Sequence, residues 1–484
     1  MKPRHVYLIH MKYVDLFAGC GGLSLGFERA GFELLLAVEK SEMATETLSH
    51  NLVQPIADSK EWKDYVRNST LEEQFKNKII TKELRELLDS EELMQKIINA
   101  KVDMVVGGPP CQGFSMAGRR NPNDVRNILP WQFLEFVERV NPKAVVIENV
   151  VGMSRNFKDK EAPFNQLQEA LRTTGKGYVV QPVHVNAMHY GVPEHRPRLM
   201  ILGLRSDLAT KLKIENRVEL WNSNFSDLIG EIADLAPEPT VSKRDMRTVR
   251  DAIADLSKIP DSQQTASGKK FLKEMKDSAA WKLRSLQKSV VLNNSARNHQ
   301  PKARQRFELY QYLRDQDLAS KILNIPAMYE KPAATAQLEV LLSACKFPAR
   351  LSNGKVIAKN KSELIDLMFE LKTKKHSQRP LHWDKPSPTV VTLPDDYVHP
   401  DEPRIFTVRE LARFQSFPDA FEFKSKETTG SDRRRTEVPQ YSQVGNAVAP
   451  LLAYAVAKKF YSILSLKHAP VDGNRARKAQ ATLL

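Results

Sequence analysis

DLFAGCGGLSLGFERAGF, residues 15–32, is the stretch that decides the fold. The apolar run Tyr13 to Phe17 enters it as a strand, Gly19, Gly21 and Gly22 turn the chain, and Leu23 to Ala30 leaves with helical spacing. The next strand-like run, Leu34 to Val38, ends at Glu39. Glycines at a strand-to-helix turn let a ligand approach the backbone, and an acidic residue after the following strand can accept from ribose hydroxyls. This is the pattern of a nucleoside-containing cofactor. A dinucleotide motif counted from Gly19 would need Gly or Ala where the chain has Ser24. Asp15, just before the turn, is awkward for a pyrophosphate and comfortable for a cationic amino-acid cofactor, so S-adenosylmethionine fits better than a nicotinamide dinucleotide.

Working outward, Met104 to Val106, Ala144 to Ile147, Tyr178 to Val185 and Leu199 to Leu204 read as further strands. Ala44 to Leu52, Gln132 to Val140 and Phe164 to Arg172 read as helices between them. The alternation predicts an α/β fold, a mostly parallel, doubly wound sheet covered by helices on both faces. Residues 59–100 break the rhythm. They are highly charged, with Leu71, Phe75, Ile79, Leu84, Leu88 and Leu93 at three-to-four spacing, and read as an inserted pair of helices on the periphery. The catalytic unit is therefore placed at 11–205, and a second, smaller domain, basic and interrupted by prolines, at 206–435. Residues 436–468, with the apolar stretch Val444 to Phe460, return as a helix to the first domain. The polar tail 469–484 is expected to fray.

Composition narrows the partners. The chain has 484 residues and a formal charge of +15, which points to a polyanion, because clustered Lys and Arg release counterions from a phosphate backbone. No apolar run reaches the ~20 residues of a membrane span, and no signal-peptide pattern opens the chain. Cys20, Cys111 and Cys345 have no paired spacing, which argues against a disulfide framework and a zinc site and for a reducing cytoplasm.

Chemistry concentrates in GGPPCQGFS at 107–115. Cys111 follows a buried strand on a turn stiffened by Pro109 and Pro110, a placement that suits a nucleophile better than core filler. A free thiol with a pKa of ~8.5 is only a few per cent thiolate at neutral pH, so its target must be positioned for it. Glu148, in VVIENV, follows another strand and can meet Cys111 in the crevice at the strand ends. Arg196 and Arg198, in GVPEHRPRLMILGLR, precede a strand and must reach that crevice by a turn of the chain. GNAVAP begins at Gly445.

In this order, those segments resemble the DNA (cytosine-5) methyltransferases. The resemblance covers roughly residues 13–58, 101–205 and 376–458, and includes TVRELARFQSFPD at 407–419; TVRDAIADL at 248–256 and ARNHQ at 296–300 are also similar. It implies a Rossmann-like, S-adenosylmethionine-dependent methyltransferase fold, with the second domain serving target recognition. It implies Cys111 as the nucleophile adding to cytosine C6, and Glu148 as the group holding N3 and the exocyclic amine. Arg198, with Arg196, would contact the O2 side. Phe17, Gly19, Gly21, Gly22, Leu23, Glu39, Pro109, Asn446 and Val448 would line the cofactor pocket, with Glu39 on the ribose. No metal is implied. Ser115 to Arg126 is the expected mobile loop closing over DNA, and the target base must leave the duplex to be reached.

Two departures from the family pattern stand out. Glu194 occupies a place where many members carry Gln, and the Gly-Asp-Ile stretch whose Asp touches the adenine is not recognisable; Asp58 is a candidate. A transfer-RNA cytosine methyltransferase would share the catalytic set, but the basic stretch from 206 to 375 favours double-stranded DNA. A non-catalytic DNA-binding or cofactor-sensing protein is argued against by the intact Cys111, Glu148 and Arg198. The expectation is thus a monomeric, cytoplasmic, nucleoid-associated prokaryotic enzyme, either paired with a restriction endonuclease or solitary.

Overall fold

The structure is a computed structural model that describes residues 10–110, 128–154, 161–257, 264–285, 291–375, 377–430, 433 and 436–466. Cys111 and the expected loop 115–126 lie outside the described residues. Nine strands and eight helices build the frame of the site. The strands are β1 (Met11–Leu16), β2 (Phe32–Val38), β3 (Ile79–Ile80), β4 (Met104–Gly107), β5 (Ala144–Val150), β6 (Tyr178–Asn186), β7 (Glu194–His195), β8 (Pro197–Arg205) and β9 (Trp221–Asn222). The helices are α1 (Gly22–Ala30), α2 (Glu42–Leu52), α3 (Ser59–Asn68), α4 (Leu71–Lys76), α5 (Leu84–Leu88), α6 (Glu91–Asn99), α7 (Leu129–Val140) and α8 (Pro163–Thr173).

Of these nine strands, all except β7 form one sheet in the order β3-β2-β1-β4-β5-β8-β6-β9. Neighbours from β3 to β5 are parallel, whereas β8 runs antiparallel to both β5 and β6. This is the mostly parallel α/β sheet read from the sequence. Strand order reverses between β1 and β4, so their C-terminal ends open a crevice where ligands bind in such sheets. Alternation along the strands feeds two cores. Tyr13, Met104, Val106, Ala144 and Val146 face α1 and the C-terminal helix, while Val14, Leu16, Val105, Val145 and Ile147 face α5 to α8.

The segment 59–100 differs from the expected peripheral pair. It contains four helices and an edge strand, β3, which pairs with β2, and Leu84, Leu88, Leu93 and Ile97 enter the sheet's second core. Its apolar spacing is that of helices built to bury one face, and the sheet is the surface they cover. Only Ile56, Trp62 and Val66, beside α3, make a separate small cluster.

The expected boundary at 205/206 also moves. Trp221 lies on the sheet's last strand, and Leu235, Phe271, Trp281, Phe406 and Phe421 share the first core with Tyr13. A separate core starts near Phe307 and ends near Ile405, around the helices Pro301–Asp315, Lys331–Leu341 and Lys361–Leu371. The two TVR segments are part of the scaffold joining these regions. Thr248 with Asp251, and Thr407 with Glu410, form reciprocal capping boxes that start two short helices. Arg413 then ties the segments together, donating to the Ala252 carbonyl at 2.8 Å, Asp255 at 3.1 Å and Asp419 at 2.5 Å.

The C-terminal stretch is two helices, Gln440–Asn446 and Pro450–Ser465, bent by 42° where Pro450 restarts the chain. Among the described residues no single helix is long and apolar enough to cross a membrane. The second helix lies on α1 and reaches the sheet at Phe32 of β2, whose ring stands 5.5 Å from that of Tyr461. A Cβ added at Gly26 would sit 2.5 Å from Ala453 Cβ and 2.5 Å from Tyr454 N. Gly26→Ala should therefore lower stability by about 1–3 kcal/mol, read as a reduced urea midpoint with an unchanged slope. An unchanged midpoint would mean that this contact is not close-packed.

Candidate active site

At the end of β1 the chain turns through left-handed backbone at Phe17 (φ 59°), Gly19 (φ 57°) and Gly21 (φ 93°). Space beside the backbone is open at Gly19, where an added Cβ would meet nothing within 4 Å. Gly22 is the opposite case, since its Cβ would lie 2.4 Å from the Val448 carbonyl oxygen. Glycine is thus needed at 19 for conformation and at 22 for contact. Glu39 closes the loop from β2: its Oε2 accepts from Gly19 N at 3.1 Å and its Oε1 from Ser41 N at 2.9 Å. Burial raises the Glu39 carboxyl above its ordinary value, opposed by those two N–H donors. A carboxylate oxygen has more than one lone-pair site, so both oxygens keep capacity for ribose hydroxyls. An open, left-handed glycine beside such a carboxylate fits a nucleoside cofactor.

The nine cofactor-pocket candidates do not behave alike. Phe17, Gly19 and Glu39 retain exposure after the ends of β1 and β2, and Asn446 at the end of its helix, while Gly21, Gly22, Leu23, Pro109 and Val448 are buried. Asp15 is buried too, and does not face an open cleft with its charge. Ser24 Oγ donates to its Oδ2 at 2.5 Å, and burial pushes its carboxyl up to about 7 against that bond. Asp58 caps α3 by accepting from Lys60 N at 2.9 Å. The backbone beside Glu39 is instead that of Ile80, whose carbonyl accepts from Glu39 N at 3.1 Å, followed by Thr81. Cys20 is packed in the core, its thiol pushed up to about 12 by burial, and is no nucleophile at neutral pH.

Across the crevice, β4 ends at Gly107 and runs into Gly108, Pro109 and Pro110. Asn149 Nδ2 donates to the Pro109 carbonyl at 2.8 Å, fixing the turn to β5. A Cβ at Gly108 would stand 3.0 Å from Glu148 Oε2, so this carboxylate lies against the backbone leading to Cys111. Gly108 and Asn149 escaped the sequence reading as separate site residues. Their signals were their places beside Pro109 and Glu148 in the quoted motifs.

Glu148 and Arg198 are brought together. In the antiparallel β5–β8 pairing, Glu148 faces Met200 and Val150 faces Arg198, which makes Glu148 and Arg198 diagonal neighbours. Arg198 Nε lies 2.8 Å from Glu148 Oε1. Its Nη1 donates to the Pro197 carbonyl at 2.8 Å, and its Nη2 has no hydrogen-bond partner among the described residues. Burial, and then neighbouring Arg196, lower the Arg198 pKa to about 10, which still leaves it cationic at neutral pH. A carboxyl and a guanidinium fork side by side can grip a ring nitrogen, an amine and a carbonyl oxygen at once.

Arg196 does not join them. It is 1% exposed, and its Nη2 donates to the Gly445 and Ala447 carbonyls at 2.8 and 2.9 Å. Its Nη1 donates to Glu194 Oε1 and to the Val390 carbonyl, both at 3.2 Å. This departs from the expected contact with a base, because the four N–H groups on its two Nη atoms are spent inside the protein.

Residues 11–462 match the family described as C-5 cytosine-specific DNA methylase. The chain is 30% identical over 457 residues to the type II methyltransferase M.DdeI of Desulfomicrobium norvegicum, covering 93% of this chain and 88% of that one. It is 31% identical over 473 residues to the type II methyltransferase M.AgeI of Thalassovita gelatinovora, covering 93% and 98%. Among solved structures, a prophage-encoded E. coli protein described as a DNA modification methyltransferase superposes with a TM-score of 0.56 at 21% identity, covering 94% of this chain and 99% of its own, a likeness of fold.

Proposed function

The chain belongs to the C-5 cytosine-specific DNA methylase family, and from that premise we propose that it methylates C5 of a cytosine flipped out of a specific duplex sequence, with S-adenosylmethionine as methyl donor. The observation that carries this reading is the Glu148–Arg198 pair, with the Glu148 carboxylate set against Gly108, the residue that leads into Pro109 and Pro110. Cytosine C5 is a weak nucleophile in the aromatic ring. Addition of the Cys111 thiolate to C6 forms an S–C6 bond and pushes the ring electrons toward C5 and N3. Glu148 holds N3 and the exocyclic amine and supplies the proton that N3 takes up. Arg198 donates to O2 and stabilises the adduct electrostatically. When bound, S-adenosylmethionine supplies an electrophilic methyl group on a sulfonium centre. Once C5 carries the methyl, N3 returns its proton to Glu148 and water takes the C5 proton, so that the C5–H electrons re-form the C5–C6 double bond as the S–C6 electrons leave with Cys111, restoring the aromatic ring.

For the cofactor, the Gly19 loop would admit the ligand at the backbone, Glu39 would accept from the ribose hydroxyls, and Asn446 would border the opening. The net charge of +15 favours a phosphate backbone as partner. The two named relatives are type II methyltransferases, which favours duplex DNA over transfer RNA and an enzyme working alongside a restriction endonuclease. Bisulfite sequencing of DNA from cells expressing the protein should show fully converted cytosines everywhere except within one short recurring sequence. Complete conversion throughout, or protection found in transfer RNA alone, would overturn the reading.

A further inference from the structure

Arg196 and Glu194 draw together three segments far apart in the chain. At β7, Glu194 and His195 pair with Ser387 and Pro388, and Ser387 N donates to the Pro193 carbonyl at 2.9 Å. Glu194 Oε1 accepts from Val390 N at 2.6 Å while receiving Arg196 Nη1. Arg196 returns to the same residue through the Val390 carbonyl, and reaches the third segment through the Gly445 and Ala447 carbonyls. Both side chains are essentially fully buried, at 0% and 1% exposure. The third segment fits tightly on both sides. A Cβ at Gly445 would lie 2.6 Å from the Val391 carbonyl, and the Val448 carbonyl presses on Gly22 at the start of α1. Two residues on, Arg198 holds Glu148 on the opposite side of the crevice.

Resting on the methyltransferase reading above, we propose that Glu194 and Arg196 are positioning residues for the cofactor: they hold the Gly445–Val448 turn against the glycine loop, and neither touches the base. The fork geometry matters. Two Nη atoms address four acceptors on three segments, which a lysine ammonium, with three donors on one nitrogen, cannot do. Glu194 serves through one acceptor oxygen, since its Oε2 is buried without a hydrogen-bond partner among the described residues. Gln at this position keeps that acceptor, and Ala removes it.

The test measures calorimetric binding of S-adenosylhomocysteine, together with KM for S-adenosylmethionine and kcat at saturating cofactor on duplex DNA. Arg196→Lys and Glu194→Ala should weaken S-adenosylhomocysteine binding and raise KM about tenfold or more, the scale of one lost charge-assisted bond. Their kcat at saturation should stay within about threefold of wild type, because uniform binding is what they lose. Glu194→Gln should retain wild-type binding. A lowered kcat with unchanged binding in Arg196→Lys would overturn the proposal in favour of a base contact. Equal harm from Glu194→Gln and Glu194→Ala would overturn it as well. If Arg196→Lys fails to fold, judged by its melting curve, the two Glu194 variants decide between the same outcomes. Wild-type protein that binds S-adenosylhomocysteine but leaves DNA unmethylated would count against the methyltransferase reading alone, and the binding results would still decide the clamp.

Discussion

Cys111→Ala should lower methyl transfer to duplex DNA by roughly four orders of magnitude or more, the scale seen when a covalent nucleophile is removed. The cofactor side should be untouched, because the features proposed to receive it, the open backbone at Gly19 and the Glu39 carboxylate, lie on the loops after β1 and β2. S-adenosylhomocysteine binding should therefore match wild type in the same preparation. A duplex carrying 5-fluorocytosine at the target should form a denaturation-resistant complex with wild type, since fluorine at C5 blocks the proton loss that expels the thiol. The Cys111→Ala variant should form none. Retained turnover would end the covalent mechanism, and a trapped complex in the variant would move the nucleophile elsewhere. Cys20 is a poor substitute, because it is buried and its thiol is pushed up to about 12.

The sheet was legible in the sequence for a physical reason. Strands buried on both faces read as short continuous apolar runs, and Met104 to Val106 and Ala144 to Ile147 are such runs. The glycine loop was legible because a strand-to-helix turn with a close backbone contact leaves few residue choices. Three things were not. The edge strand Ile79–Ile80 is too short to show a period, so it was absorbed into the helical spacing around it. The division of cores was hidden because Trp221, Phe271 and Phe406 join the first core through contacts far apart in sequence. The parting of Arg196 from Arg198 was hidden too. Two residues apart, they would share a face in one strand, but β7 ends at His195 and β8 begins at Pro197, which leaves Arg196 as the single residue between them. Arg198 inherits the strand's register against Glu148, and Arg196 turns inward to the Gly445 carbonyl.

That register makes Glu148→Gln the sharpest test of the base-side chemistry. Gln keeps the size of Glu148 and can still accept from Arg198 Nε, now 2.8 Å from the carboxylate. It loses the charge of the pair and the ability to pass a proton to N3. Removing a general acid of this kind typically lowers the rate by 10²–10⁴-fold, so kcat should fall by about that factor. DNA affinity should change far less, because phosphate contacts supply most of the binding free energy and one base contact only a small share. The two effects can be separated in one preparation, with single-turnover methylation for the chemistry and a salt-controlled gel shift for binding. Equal losses in both would mean that Glu148 holds the flipped base without taking part in proton transfer. The fluorinated duplex sharpens the distinction. A general acid acts on the addition of the thiolate, so trapping should slow in the Glu148→Gln variant by nearly the same factor as turnover. Trapping at the wild-type rate with slow turnover would place the role of Glu148 after the S–C6 bond has formed.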